Sequence, residues 1–267
     1  MGTSVGAGMV GAGMVGAGMV GAVVVVMMRA ILPHATDIPA SGDSRTPDGD
    51  RCHDVRQQMK EVAMSDIDVK FGWLSGAGPL GSVFGVSFVR GLAPREALVR
   101  LGVDESTIDE MTFEELDENA EECLESSDGI DAGWAGAVRM GDWTVLVEPG
   151  GWRVAAGTGV LERLSQGAEV VAVSRHDYAS DDFAHAIDGR LITQFEPLAS
   201  HLRSGDDPDR WIGAMRDLGL GLNGFDDPLP EDPIGAAFAL AGVITGVDLS
   251  PALLEMTFLA GTTNPDD

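Results

Sequence analysis

The chain has 267 residues, with 17 Lys and Arg against 43 Asp and Glu and a formal net charge of −26. An acidic excess of that size repels nucleic-acid backbones, which are held by Lys and Arg clusters, so no nucleic acid is expected as a partner. Two cysteines, Cys52 and Cys123, build neither a disulfide framework nor a zinc site, and the setting expected from that is reducing and cytoplasmic.

Residues Val5 to Val20 repeat Val-Gly-Ala-Gly-Met, and the stretch Val5 to Met28 runs 24 residues without a charge. That is long enough to cross a bilayer. Composition argues against a working span. Seven glycines between Gly6 and Gly21 each weaken a helix by roughly 1 kcal/mol, and Leu, Ile and Phe are absent. A period of five matches neither a helix face nor a strand face, and no basic residue precedes Arg29 as a secretory signal would need. The alternative is a membrane-tethered domain held inside by Arg29, Arg45, Arg51, Arg56 and Lys60. Residues 29 to 63 are rich in Pro, Ser, Asp and Arg and read as a disordered linker. The expected organisation is therefore a leader and linker over residues 1–63, and one acidic domain over 64–267 starting functionally at Met64. That domain holds 12 basic and 37 acidic residues.

Within it, Ser82 to Arg90 is rich in Val and Phe and predicts a buried strand. Pro94 opens a helix that Gly102 closes, and Thr112 with Glu115 forms a capping box for a second helix. Phe113, Leu116, Ala120 and Cys123 or Leu124 mark its buried face. Gly141-Asp142 joins strands Trp134–Met140 and Trp143–Glu148, and Pro149-Gly150-Gly151 turns into a further extended run, Trp152–Ala155. A short helix near Val160 to Leu164 precedes strand Glu169–Arg175. Asp188-Gly189 is a strong two-residue hairpin signal between Phe183–Ile187 and Arg190–Phe195. Helices open at Asp207-Pro208, Asp232-Pro233 and Ser250-Pro251. The sum is α+β: an antiparallel meander sheet of about five to seven strands with helices packed on one face.

In Phe88-Val89-Arg90-Gly91-Leu92 through Pro94, Val147-Glu148-Pro149-Gly150-Gly151-Trp152, Glu169-Val170-Val171-Ala172-Val173, the hairpin around Asp188-Gly189-Arg190, and Thr245 to Leu259, the chain resembles a family of actinobacterial proteins, the domain-of-unknown-function family numbered 6461. The resemblance covers roughly residue 70 to the end. It implies a fold but no activity, so no functional residue carries over.

Chemistry-bearing motifs are few. Gly76-Ala77-Gly78-Pro79-Leu80-Gly81 spells G-x-G-x-x-G, but a strand follows it where a dinucleotide site needs a helix, so it reads as a lead-in loop and no cofactor is expected. Ser87 lacks the second glycine of a nucleophile elbow and reads as a strand residue. His176, Asp177, Asp181, Asp182 and His185 lie within ten residues around a loop, a proximity that suits a metal or acid–base site only if the side chains converge. Thirteen acidic residues and no basic one fall between Arg100 and Arg139, which reads as a solvated face or as a docking surface for a basic protein. Trp134, Trp143 and Trp152 recur every nine residues and default to packing, but one that is exposed would be the best interaction anchor. Trp152, His176, Asp177, Asp181 and His185 are thus the candidate surface, with no catalytic, cofactor or metal residue assigned. The expected function is a non-enzymatic interaction or regulatory domain, in the manner of an immunity protein, with a basic protein as its partner class. The alternative is a small hydrolase or metal-dependent enzyme using the His176–His185 loop.

Overall fold

The computed structural model describes residues 67, 69–74, 76, 78–126, 133–156, 158–176, 181–224, 227 and 230–263. The repeat, the linker and Asp177 lie outside the described residues. At the centre is an eight-stranded, wholly antiparallel open sheet. Its strands are β1 (Phe84–Arg90), β2 (Asp109–Met111), β3 (Gly133–Met140), β4 (Trp143–Pro149), β5 (Glu169–Arg175), β6 (Asp182–Ile187), β7 (Arg190–Phe195) and β8 (Phe258–Thr263). The spatial order is β2-β8-β3-β4-β1-β5-β6-β7. The β3–β4 hairpin and the β5-β6-β7 run are local, as the turn residues predict. Between them sits β1, paired with both β4 and β5, while β8 returns from the carboxy terminus to pair with β3 and β2. The count therefore exceeds the five to seven expected, and the meander is interrupted.

Helices cover both faces of the sheet rather than one. On the first face, Phe84, Val86, Phe88, Val145, Val147, Val171, Val173 and Phe183 pack beneath α2 (Phe113–Ser126) and α6 (Pro233–Thr245). On the other, Val89, Leu146, Val170, Ala172 and Ala184 pack beneath α1 (Pro94–Leu101), α3 (Arg153–Ala156) and α4 (Thr158–Ser165). The reason is written in the strands. β4 is buried at every position and β5 from Val170 to Ser174, so neither alternates between apolar and polar. Such continuous burial requires cover on both sides.

Helix ends follow the local signals. Thr112 N–H donates to Glu115 Oε2 at 2.8 Å while Glu115 N–H donates back to Thr112 Oγ1 at 3.2 Å, which completes the capping box of α2. Asp232 Oδ1 accepts from Gly235 N–H at 2.9 Å at the start of α6. Pro94 and Pro233 occupy first-turn positions, and Gly102 and Gly246 close the same two helices.

Two elements differ from their predicted form. Trp152–Ala155 lies largely in the short helix α3 rather than in a strand. The helix expected from Asp207-Pro208 starts only at Ile212 (α5, Ile212–Asp217). There Asp206 and Asp207 donate their N–H groups to Leu191 and Ile192 carbonyls, so this backbone covers the edge of β7 before the helix can begin. Gly78 to Gly81 form a turn leading straight into β1, and no helix follows. Among the described residues, no helix is long and apolar enough to cross a membrane.

Candidate functional site

The most unusual side chain of the fold is Glu148, the single carboxylate of β4, a strand whose other residues are apolar except for Thr144. It is 3% exposed, on the face covered by α1, α3 and α4. Its carboxylate accepts backbone N–H bonds from Val154 and Arg153 and feels the Arg153 guanidinium, all of which favour the charged form. Burial outweighs them and pushes the carboxyl up to about 7. Glu148 is paired across the sheet with Gly85, which is in turn paired with Ser174. A Cβ at Gly85 would lie 3.0 Å from Glu148 Oε2 and 3.2 Å from the Gly151 carbonyl, so glycine is what lets the carboxylate and the turn close over β1.

That turn, Pro149 to Trp152, is tied down at both ends. Gly150 N–H donates to the Val83 carbonyl at 3.0 Å, and Gly151 N–H to the Glu148 carbonyl at 3.2 Å. Gly150 has φ of 66°, and a Cβ there would meet Leu124 Cδ1 at 2.5 Å, because the last turn of α2 lies against it. Trp152 projects from the turn at 38% exposure, whereas Trp143 is buried and Trp134 half-buried. Its ring meets His176 edge-on, with centroids 4.2 Å apart and planes at 87°.

Trp152 and His176 are therefore brought together, and His185 lies elsewhere. Its side chain points to the opposite face, beside Phe183 in β6, and is fully buried. The Trp211 indole N–H donates to His185 Nδ1 at 3.0 Å, and Nε2 lies 3.1 Å from Glu169 Oε1. An indole can only donate, so Nδ1 must carry the lone pair and Nε2 the hydrogen, which is given to Glu169. Glu169 also pairs with Arg90 at 2.6 Å, and Arg90 lies over the Trp143 ring. Burial lowers the His185 pKa, the Glu169 carboxylate opposes that, and Arg210 adds to it. Both ring nitrogens are thus engaged in holding β5, β6 and the start of α5 together. Replacing Trp211 with Phe removes the donor and leaves a buried acceptor, so it is expected to cost about 1–3 kcal/mol in urea unfolding. A change below about 0.5 kcal/mol would contradict this assignment.

Asp181 and Asp182 stand at the entry to β6. Burial pushes Asp181 up to about 6, with Arg175 opposing and Asp182, Glu196 and Asp232 adding to the rise. Asp182 is raised by burial and by Glu196, and His176 counteracts this. Among the described residues, no group of three or more His, Cys, Asp or Glu side chains is placed to hold a metal ion.

Asp128 and Asp131 of the acidic run lie outside the described residues, and the rest is exposed for the most part. It occupies the 3-10 turn Glu105–Thr107, edge strand β2 and the outward side of α2, where Glu105, Asp109, Glu110, Glu114, Glu118, Glu121, Glu122 and Glu125 are exposed. Asp117 is raised by burial and by repulsion from Glu121 and Glu118, so the carboxylates here act on one another.

Sequence reasoning named Trp152 and His176 but missed Glu148 and the Glu169–His185–Trp211 chain. A lone carboxylate closing a continuous apolar run, just before Pro-Gly-Gly, was the available signal for Glu148. Trp211 is 26 residues from His185, and nothing local links them.

No curated protein and no solved structure matches the chain. The family model described as "Family of unknown function (DUF6461)" matches residues 64–265. With three quarters of its length inside that match, the chain belongs to this family.

Proposed function

We propose that residues 64–267 act as a non-enzymatic interaction or regulatory domain that docks a basic protein on the edge formed by β2 and the outer side of α2, as an immunity protein masks its target. The observation that carries this reading is the density of exposed carboxylates on the 3-10 turn Glu105–Thr107, β2 and α2, in a stretch from Leu101 to Val138 that contains no Lys or Arg. The Asp117 pKa is raised first by burial and then by Glu121 and Glu118, and that second contribution, carboxylates left to repel one another, favours a cationic partner. A cytoplasmic site of action is part of the proposal, in keeping with the sparse cysteine usage. The hydrolase or metal-dependent alternative has less support, since His185 already uses both ring nitrogens.

The test is titration of the full chain with a lysine-rich peptide at rising salt. The triple variant Glu118→Lys, Glu121→Lys, Glu122→Lys is expected to weaken binding about tenfold or more. The control Asp142→Lys, Asp217→Lys, Glu255→Lys makes the same change in net charge at exposed positions elsewhere and is expected to have a smaller effect. Equal losses in the two variants, or binding indifferent to salt, would overturn the proposal.

A further inference from the structure

We infer that the sheet face beneath α3 carries a binding site for a primary alkylamine, whose ammonium group is held by Glu148, Ser174 and Asp182. The inference is independent of the docking reading above, since this site lies on the face of the sheet that α2 does not cover.

Strand register gathers the three side chains. Glu148 pairs with Gly85, Gly85 with Ser174, and Ser174 with Asp182, across β4, β1, β5 and β6. Residues paired directly across a sheet project to the same face, so these four form one row, about 4.8 Å apart from strand to strand. Gly85 contributes no side chain, and the Glu148 carboxylate lies over it: a Cβ there would be 3.0 Å from Oε2. The carboxylate is thereby directed along the row toward Ser174. Ser174 is 1% exposed, and its Oγ has no hydrogen-bond partner among the described residues. A hydroxyl buried in this way gives up its bonds to water and gains none in return, a cost that folds seldom carry without a use for the group. An alkylammonium has three N–H donors and no acceptor. The row meets them with a carboxylate on either side and the hydroxyl between.

Charge favours such a cation. Burial and then Glu196 raise Asp182, with His176 opposing, and burial pushes Glu148 up to about 7 against Arg153 and two backbone N–H groups. A positive charge set among them favours the ionised form of both, so the amine binds with release of the Glu148 proton. A metal ion is a poorer match, because no three His, Cys, Asp or Glu side chains converge among the described residues. The row approaches solvent beside Trp152 and His176, both partly exposed. Trp152 Cα is 3.6 Å from the same Cβ position over Gly85, and its ring meets His176 edge-on at 4.2 Å. In the bound state that contact parts and the alkyl stem lies along the indole, which suits an apolar chain behind a cationic head.

The experiment is calorimetric titration of the full chain at pH 6.5 with n-butylamine, and with n-butanol and butyrate as probes of similar length. Butylamine is expected to bind about tenfold or more tightly than either. Its heat is expected to differ between buffers of different ionisation enthalpy, as release of the Glu148 proton requires. Glu148→Gln keeps the shape and removes the charge, and is expected to weaken binding about tenfold and to abolish the buffer dependence. Ser174→Ala and Asp182→Asn are each expected to weaken binding about threefold or more while keeping that dependence. Circular dichroism of each variant shows that the fold is kept. Butylamine binding no tighter than butanol, or as tight to Glu148→Gln as to the wild type, would overturn the inference. So would a heat that does not change with buffer, because the amine would then not reach Glu148.

Discussion

The stability advantage of Glu148→Gln over the wild type is expected to grow from near zero at pH 4 to about 3 kcal/mol above pH 7. In the unfolded chain Glu148 ionises near its ordinary value of 4.5, but in the fold it holds its proton to about 7. A folded state that keeps a proton the unfolded state has lost becomes less stable as pH rises. The loss begins near 4.5 and accumulates at roughly 1.4 kcal/mol per pH unit until the folded group also ionises. Glutamine imitates the protonated acid, keeping a carbonyl oxygen for the N–H groups of Arg153 and Val154 while removing the charge. His185 runs the other way. Its lowered pKa gives stability present above 6.5 and lost as pH falls through the folded value, but both proteins share that slope, so it cancels in the difference. Urea unfolding of both proteins between pH 4 and 8.5 makes the measurement. Parallel curves would mean that Arg153 and the backbone donors compensate the buried charge in full.

Phe238→Ala is expected to cost about 3–5 kcal/mol. Phe238 is fully buried in α6 and stacks against Phe71 on one side and Phe84 of β1 on the other, with ring centroids 6.2 Å apart in each pair. Among its neighbours on the helix, Gly235, Ala237, Ala241 and Gly242 are too small to fill the space it would leave, and Ile234 is already packed in the core. The sheet beneath is held by ladders on both sides of β1 and cannot collapse into the cavity. Val243→Ala on the same helix is the control. At 50% exposure it is expected to change stability by less than about 0.5 kcal/mol. A loss below about 1 kcal/mol for Phe238→Ala would show that this face of the sheet is not packed as a core.

The two predictions bear on opposite faces of the sheet, and the need for two covered faces was visible before any tertiary information. Val145 to Val147 and Val170 to Val173 are continuous apolar runs, which a sheet with one wet face does not produce. The expectation of a single helical layer overlooked this and relied on the short antiparallel connections instead. Those connections are real, but they describe how strands follow one another and not which faces are covered. The acidic run likewise indicated a charged face, yet only the fold sets Leu124, near the end of α2, against Gly150.

The ends of α1, α2 and α6, the β3–β4 and β6–β7 hairpins, and the α+β class were legible in the residues themselves. Their determinants act within about four positions: Thr112 with Glu115, Asp232 with Gly235, Asp188 with Gly189. Contacts between distant segments settled the rest. β8 pairs with β3 across more than a hundred residues, and β2 is three residues of acidic edge with no strand pattern of its own. The Glu148 carboxylate receives the first N–H groups of α3 where local composition favoured a strand. His185 sits near His176 in sequence but on the other face of the sheet, where Glu169 and Trp211 take both of its nitrogens. The physical reason is the same in each case. Caps and turns are satisfied by their neighbours in the chain, whereas a strand partner, a buried carboxylate or a histidine tautomer is chosen by whichever segment the packed core brings alongside.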